Sequence, residues 1–157
     1  MALSVGDPAP DFVLPLKPGE APLRLSDYKG EKPVVLLFFP LAFSPHCTDE
    51  FSTVAAEYDQ WKGLGAEVIG VSVDSPFVTQ KFSSEFGAGF PIVSDFNRQA
   101  TKDFGVLNED YFGLEGVAYR SAFIVDRDGT VAYSWVSEND SKLPPFDEIR
   151  EALRRVV

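Results

Sequence analysis

A chain of 157 residues is long enough for one domain with its own core and too short for two of ordinary size, so a single domain over residues 1–157 is expected. Its hydrophobic share of 45% and charged share of 24% exclude disordered, collagen-like and disulfide-scaffold classes. A formal net charge of -10 argues against partners such as nucleic acid or anionic membrane surfaces, which are bound through Lys and Arg.

Nothing in the chain approaches the ~20 apolar residues needed to span a bilayer. The stretch from Met1 to Phe12 lacks the basic patch and apolar run of a secretory signal, so a cytoplasmic location is expected. Gly6 to Pro22 is rich in Gly and Pro but interleaved with Phe12, Val13, Leu14 and Leu16, which predicts an extended opening segment with a short strand or hairpin. Val34–Phe39 is a continuous apolar run that suits a strand buried on both faces, and Pro40 ends it. Phe51, Val54, Ala55, Tyr58 and Trp61 then recur at helical spacing, and Gly63 and Gly65 close that helix. A second buried strand follows at Glu67–Val73. Pro76 to Phe86 reads as a helix capped by Ser75. Ile92 and Val93 form a short strand and Arg98 to Phe104 a short helix. Ser121–Val125 and Thr130–Val136 flank Asp128-Gly129, a hairpin signal, and Phe146 to Val157 closes the chain as an amphipathic helix. The order β-α-β-α-β-α-β-β-α predicts an α/β fold of thioredoxin-like type: a mixed central sheet flanked by helices, with an N-terminal extension. Fold alone does not establish function.

Chemistry is limited by one cysteine and one histidine. An internal disulfide is impossible, a zinc site would need about four ligands, and no cofactor or metal is expected. Cys47 is therefore either a small buried hydrophobe, as free cysteines often are, or a reactive group. Its neighbourhood is Pro40-Leu41-Ala42-Phe43-Ser44-Pro45-His46-Cys47-Thr48-Asp49-Glu50, between a buried strand and a helix. Ser44 reads as N-cap and Pro45 as the first helical residue, which makes Cys47 the third. There the unpaired amides and helix dipole favour a thiolate, the nucleophilic form. Cys47 also lies four residues before Phe51, on the helix's apolar face, which suits an inert core residue equally. Glu50 lies three residues after Cys47 and works against a thiolate. A reactive Cys47 thus needs a cation from elsewhere, best an arginine, which stays charged and can donate to sulfur and carboxylate together. These arguments leave Arg24, Arg98, Arg120 and Arg127 open.

Pro40, Ser44 and Cys47 fit the peroxiredoxin signature Pro-x-x-x-Thr/Ser-x-x-Cys, with Glu50 as the acidic residue three places on. Gly6-Asp7-Pro8-Ala9-Pro10-Asp11-Phe12 resembles the family's Gly-x-x-Ala-Pro-Asp-Phe opening. Pro91-Ile92-Val93-Ser94-Asp95 and Arg120-Ser121-Ala122-Phe123-Ile124-Val125-Asp126 match as well. Val34 to Cys47, with Phe38-Phe39-Pro40-Leu41-Ala42-Phe43, is similar to the one-cysteine alkyl hydroperoxide reductase E type. Ser44 departs from the commoner Thr; it keeps the hydroxyl but is less constrained in rotamer.

The resemblance implies a thiol peroxidase that reduces hydrogen peroxide and organic hydroperoxides. It makes Cys47 the peroxidatic cysteine and Ser44 a hydrogen-bonding partner of the peroxide. Arg120 becomes the supporting cation, Pro40 a shield over the sulfur and Glu50 the residue that orients Arg120. With no second cysteine, the Cys47 sulfenic acid requires an external thiol or redox protein, and over-oxidation to sulfinic acid is the foreseeable failure. Two other readings are a peroxide sensor signalling through Cys47 sulfenylation and a thioredoxin-like binding module with an inert thiol. His46 is not expected to be essential, since adjacent helical residues do not face each other. Trp61 and Trp135 are expected in packing, and Asn108-Glu109-Asp110 in a solvated loop. Phe43, Phe77, Tyr111 and Phe112 are candidates for core, active-site collar or dimer contact, the family often forming homodimers near its site.

Overall fold

A computed structural model describes residues 2–86, 89–137, 139 and 142–156. In the opening segment β1 (Val13–Leu14) pairs antiparallel with β2 (Leu23–Arg24), the short hairpin expected there, and a 3-10 turn follows at Leu25–Tyr28. The central strands are β3 (Val34–Phe38), β4 (Glu67–Ser72), β5 (Ile92–Ser94), β8 (Ser121–Val125) and β9 (Val131–Val136). Their order across the sheet is β5-β4-β3-β8-β9. β3, β4 and β5 run parallel, whereas β8 is antiparallel to β3 and β9 to β8, so the sheet is mixed as expected.

Helices α1 (Pro45–Gly63), α2 (Pro76–Phe86), α3 (Gln99–Asp103) and α4 (Phe146–Val156) fall where periodicity placed them, shifted by one residue at some ends. Val157, the expected last residue of α4, lies outside the described residues. The pattern gave no sign of β6 (Leu107–Asn108) and β7 (Val117–Ala118), which pair with each other away from the main sheet. Two residues per strand are too few to display a period of two.

Alternation along β3 divides the core. Val35, Leu37 and Phe39 face α1, α2 and α4, packing against Phe51, Val54, Trp61, Phe82 and Leu153. Val34, Leu36 and Phe38 face the other way, onto Phe12, Leu14 and Phe104. Both faces are covered, which is why the strand reads as an unbroken apolar run. Gly70 lets α1 approach the sheet closely: a Cβ there would stand 3.0 Å from Phe51 Cε1 and 3.2 Å from Ile92 Cγ1. That approach fixes the height of α1, and so of its first turn, above the strand ends. Trp61 is fully buried and Trp135 packs at the edge of the same cluster. Among the described residues no helix is long and apolar enough to cross a membrane.

Candidate active site

The site forms where the parallel strands end. β3 runs out at Phe38, and the chain turns through Pro40–Ser44 into α1. Ser44 has an extended N-cap backbone (φ -69°, ψ 152°) and Pro45 is the first helical residue, so Cys47 is the third helical position. The Ser44 hydroxyl does not cap the helix. It donates to the Leu41 carbonyl at 3.0 Å and interacts with the Cys47 sulfur. Within this loop Phe43 adopts a left-handed backbone (φ 69°), uncommon for a large side chain.

Register brings in the cation. Phe38 pairs with Ser121 across β3 and β8, so the residue before Ser121 lies level with the start of the Cys47 loop. That residue is Arg120. Ala122 and Ile124 face α1, and Arg120 continues the same alternation. Its Nη1 donates to Glu50 Oε1 at 2.6 Å and to Cys47 Sγ at 3.3 Å. One nitrogen therefore holds both the thiol and the carboxylate three residues further along α1. Cys47 and Glu50 are fully buried, and Arg120 is 1% exposed.

The other three candidate arginines are engaged elsewhere. Arg24 lies 3.8 Å from Asp11, Arg98 donates to the carbonyls of Gly116 and Phe96, and Arg127 reaches the Val156 carbonyl. Pro40 is buried and lines, with Arg120, Asn108, Tyr111, Tyr119 and Ser137, a cavity of about 110 Å³ beside the site. The structure thus brings Cys47, Glu50 and Arg120 into direct contact, Ser44 against the sulfur, and Pro40 beside Arg120.

Two opposing influences act on the thiol. Burial is the larger and pushes Cys47 above the ordinary thiol range. The charge of Arg120 is the strongest counterweight, helped by hydrogen bonds from Ser44 and at Leu41, while Glu50 adds a small upward push. The lowered thiol expected at a helix N-terminus is therefore corrected: in this closed arrangement desolvation outweighs the cation and the helix end. For Arg120 itself burial would favour losing the proton, but Glu50 and Cys47 outweigh it and hold the guanidinium above its usual range. Arg120 stays charged.

One supporting residue escaped the sequence reading. Asp74, just beyond β4, accepts a hydrogen bond from the Ala42 amide at 2.7 Å, across 32 positions of sequence. No local pattern announces such a contact. Phe43, Phe77 and Phe112 are 50%, 73% and 86% exposed, so none of them is core. Among the described residues no group of His, Cys, Asp and Glu could hold a metal.

The chain matches the AhpC/TSA family over residues 5–134. It is 39% identical over 161 residues to Peroxiredoxin-2 of Macaca fascicularis, covering 97% of this chain and 77% of that one. With the chloroplastic 2-cysteine peroxiredoxin of Chattonella marina var. antiqua it shares 37% identity over 146 residues, 87% of this chain and 72% of that one. Among solved structures, peroxidoxin BcpB from Mycobacterium tuberculosis superposes with a TM-score of 0.84 at 30% identity, covering 98% of this chain and 97% of that one. A thioredoxin-like sheet, a cysteine in the first turn of α1 and a family match over most of the length agree: the chain belongs to the AhpC/TSA family, the peroxiredoxins, which are thiol peroxidases.

Proposed function

We propose that this chain reduces hydrogen peroxide and organic hydroperoxides by a one-cysteine cycle at Cys47, in the manner of the alkyl hydroperoxide reductase E type. The observation that carries the reading is the single Arg120 Nη1 shared between Cys47 Sγ and Glu50 Oε1. The Cys47 thiolate attacks one peroxide oxygen, the S–O bond forms as the O–O bond breaks, and the sulfur is oxidised to sulfenic acid. The departing oxygen takes a proton and leaves as water or alcohol. Arg120 stabilises negative charge as it shifts from sulfur to the leaving oxygen, and the Ser44 hydroxyl hydrogen-bonds the peroxide. Glu50 touches Arg120 rather than substrate, so its role is positioning. Pro40 limits access to the sulfur.

The chain's lone cysteine leaves no internal resolving thiol. Return to the thiol then takes two equivalents of external thiol: the first condenses with the sulfenic acid, releasing water and forming a mixed disulfide. The second displaces Cys47 and leaves as an external disulfide. A reducing compartment, the cytoplasm, supplies such thiols. A homodimer fits the exposed Phe43, Phe77 and Phe112, all at the Cys47 end of the sheet, and a mass that stays monomeric across concentrations in sedimentation would remove that part of the reading.

Stopped-flow mixing with hydrogen peroxide tests the activity. Oxidation of one thiol per chain is expected, abolished in Cys47→Ser, with multiple turnovers on adding a small thiol. Stoichiometric oxidation without turnover under any thiol or thioredoxin-type reductant would favour the sensor. Oxidation no faster than that of free cysteine would favour the inert module.

A further inference from the structure

The loop that covers Cys47 is held from outside its own segment, and both holds come from the β4–α2 region. The first is polar. Asp74 Oδ2 accepts the Ala42 amide at 2.7 Å and the Ser72 hydroxyl at 2.8 Å. The Asp74 backbone is fixed in turn, its amide donating to Ser72 Oγ at 3.3 Å and its carbonyl accepting from Ser94 Oγ at 2.5 Å. Ser72 is fully buried and Ser94 is 1% exposed, so this is a built-in bracket rather than a surface contact. The second hold is the Phe43 ring, set edge-on to Phe82 at 5.2 Å between centroids. Against these acts the left-handed backbone of Phe43, a conformation that persists in a large residue only where its surroundings enforce it.

The loop also carries what the reaction needs. Ser44 reaches the sulfur, and its hydroxyl position depends on the Leu41 carbonyl one residue before Ala42. With the loop in place Cys47 is wholly buried. A reducing thiol is bulkier than a peroxide group, so the same loop must yield further before the sulfenic acid can be reached. One carboxylate therefore bears on two steps with opposite demands.

Resting on the peroxidase reading above, we propose that Asp74 is the positioning residue of the Cys47 loop: its hydrogen bond to the Ala42 amide holds the peroxide pocket closed and limits the approach of bulkier reagents to the sulfur. The residue acts through Ala42 and touches neither peroxide nor sulfur. Asn in its place can set its amide oxygen where Asp74 Oδ2 stands, accepting from the Ala42 amide and the Ser72 hydroxyl alike. Ala keeps neither.

The test compares Asp74→Ala and Asp74→Asn with the unaltered chain in three measurements: single-turnover oxidation by hydrogen peroxide, alkylation of Cys47 by iodoacetamide against a maleimide-polyethylene glycol, and local hydrogen exchange. In Asp74→Ala, loss of a charge-assisted hydrogen bond predicts peroxide oxidation slowed about tenfold and the ratio of bulky to small alkylation raised about tenfold. Asp74→Asn recovers most of both. Amides of the 41–44 segment exchange faster in Asp74→Ala while those of β3 and β4 do not, which separates loop release from general destabilisation. Should Asp74→Ala fail to fold, Ser72→Ala, which removes one support of the same carboxylate, is expected to show the same opposed changes at smaller size. The proposal is overturned if the two rates stay unchanged or move together, if Asn behaves as Ala does, or if exchange rises throughout the sheet. If Cys47 of the unaltered chain resists peroxide, the peroxidase reading falls, and alkylation and exchange still decide the role of Asp74.

Discussion

Among the described residues two arginine–carboxylate pairs tie α1 to the rest of the molecule, and they differ in almost everything except chemistry. Glu50 and Glu57 lie two turns apart on the same helix. Glu50 meets Arg120 at 2.6 Å with both side chains at 0% exposure. Glu57 meets Arg150 of α4 at 2.9 Å with the side chains at 20% and 22%, and Arg150 also contacts the 90% exposed Asp147. Water can replace either partner of the outer pair. It can replace neither partner of the inner one, so Arg120 and Glu50 depend on each other, with the Cys47 sulfur against the same Arg120 nitrogen. The same ion pair is thus a surface contact at one end of the helix and an obligatory part of a site at the other. Desolvation, not the identity of the residues, makes the difference.

Breaking the inner pair has the largest expected effect. Arg120→Met leaves Glu50 and a developing negative charge without their cation. Loss of one preorganised donor predicts peroxide oxidation slowed by about 10²–10³-fold. Removal of one partner of a buried pair costs about 3–5 kcal/mol, read from urea unfolding. Adding Glu50→Met should restore much of the stability and none of the rate, which separates the structural from the chemical consequence. The Cys47 thiol, already raised by burial, should rise further without Arg120, seen as an upward shift in the pH profile of alkylation. Linkage gives a matching sign. A folded thiol pKa above the unfolded value of about 8.5 contributes stability that is complete below that pH and lost as pH rises through the folded value. Arg120→Met should carry that loss to higher pH, with Cys47→Ser as the control that lacks it. An alkylation profile unmoved by Arg120→Met would mean that its charge does not reach the sulfur.

A smaller change sharpens the same comparison. Glu50→Gln removes a negative charge that pushes the thiol up, so the Cys47 pKa should fall. The neutral amide still accepts from Arg120 but holds it less firmly than a carboxylate, which predicts a rate lower by about tenfold. Acidity and reactivity then move in opposite directions. If the rate instead rises with the acidity, Glu50 does not position Arg120 and merely opposes the thiolate.

Legibility in the sequence followed the range of each interaction. Ser44, Pro45 and Cys47 were readable because an N-cap, a first-turn proline and a third helical position are local facts. The strands of the main sheet were readable because both faces are buried and the runs are long. Arg120 was not separable from Arg24, Arg98 and Arg127 by residue pattern, since its position depends on the pairing of Phe38 with Ser121, and resemblance alone singled it out. The bond from the Ala42 amide to Asp74 joins two distant segments and leaves no trace in the sequence. The sense of the Cys47 shift was misjudged for a related reason. A helix N-terminus and a candidate cation can be seen in a sequence, whereas the buried cluster that Cys47 joins with Phe39, Phe51 and Val54 is assembled only on folding.

Breaking the outer pair has the smallest expected effect and completes the contrast. Arg150→Ala removes contacts to Glu57 and Asp147, both of which water can solvate afterwards. Exposed and half-exposed pairs of this kind contribute about 1 kcal/mol or less, and screening by salt reduces that further. Urea midpoints of the variant and the unaltered chain should therefore differ little at low salt and converge as salt is added. The peroxide rate should not change, because Arg150 meets α1 at Glu57, well along the helix from Cys47. Arg120→Met should show the opposite pattern, a stability loss that salt leaves in place, since ions cannot enter a pair at 0% exposure. A salt-insensitive loss in Arg150→Ala, or a slower peroxide reaction, would show that α4 presses α1 into register and that the two ends of the helix are mechanically coupled.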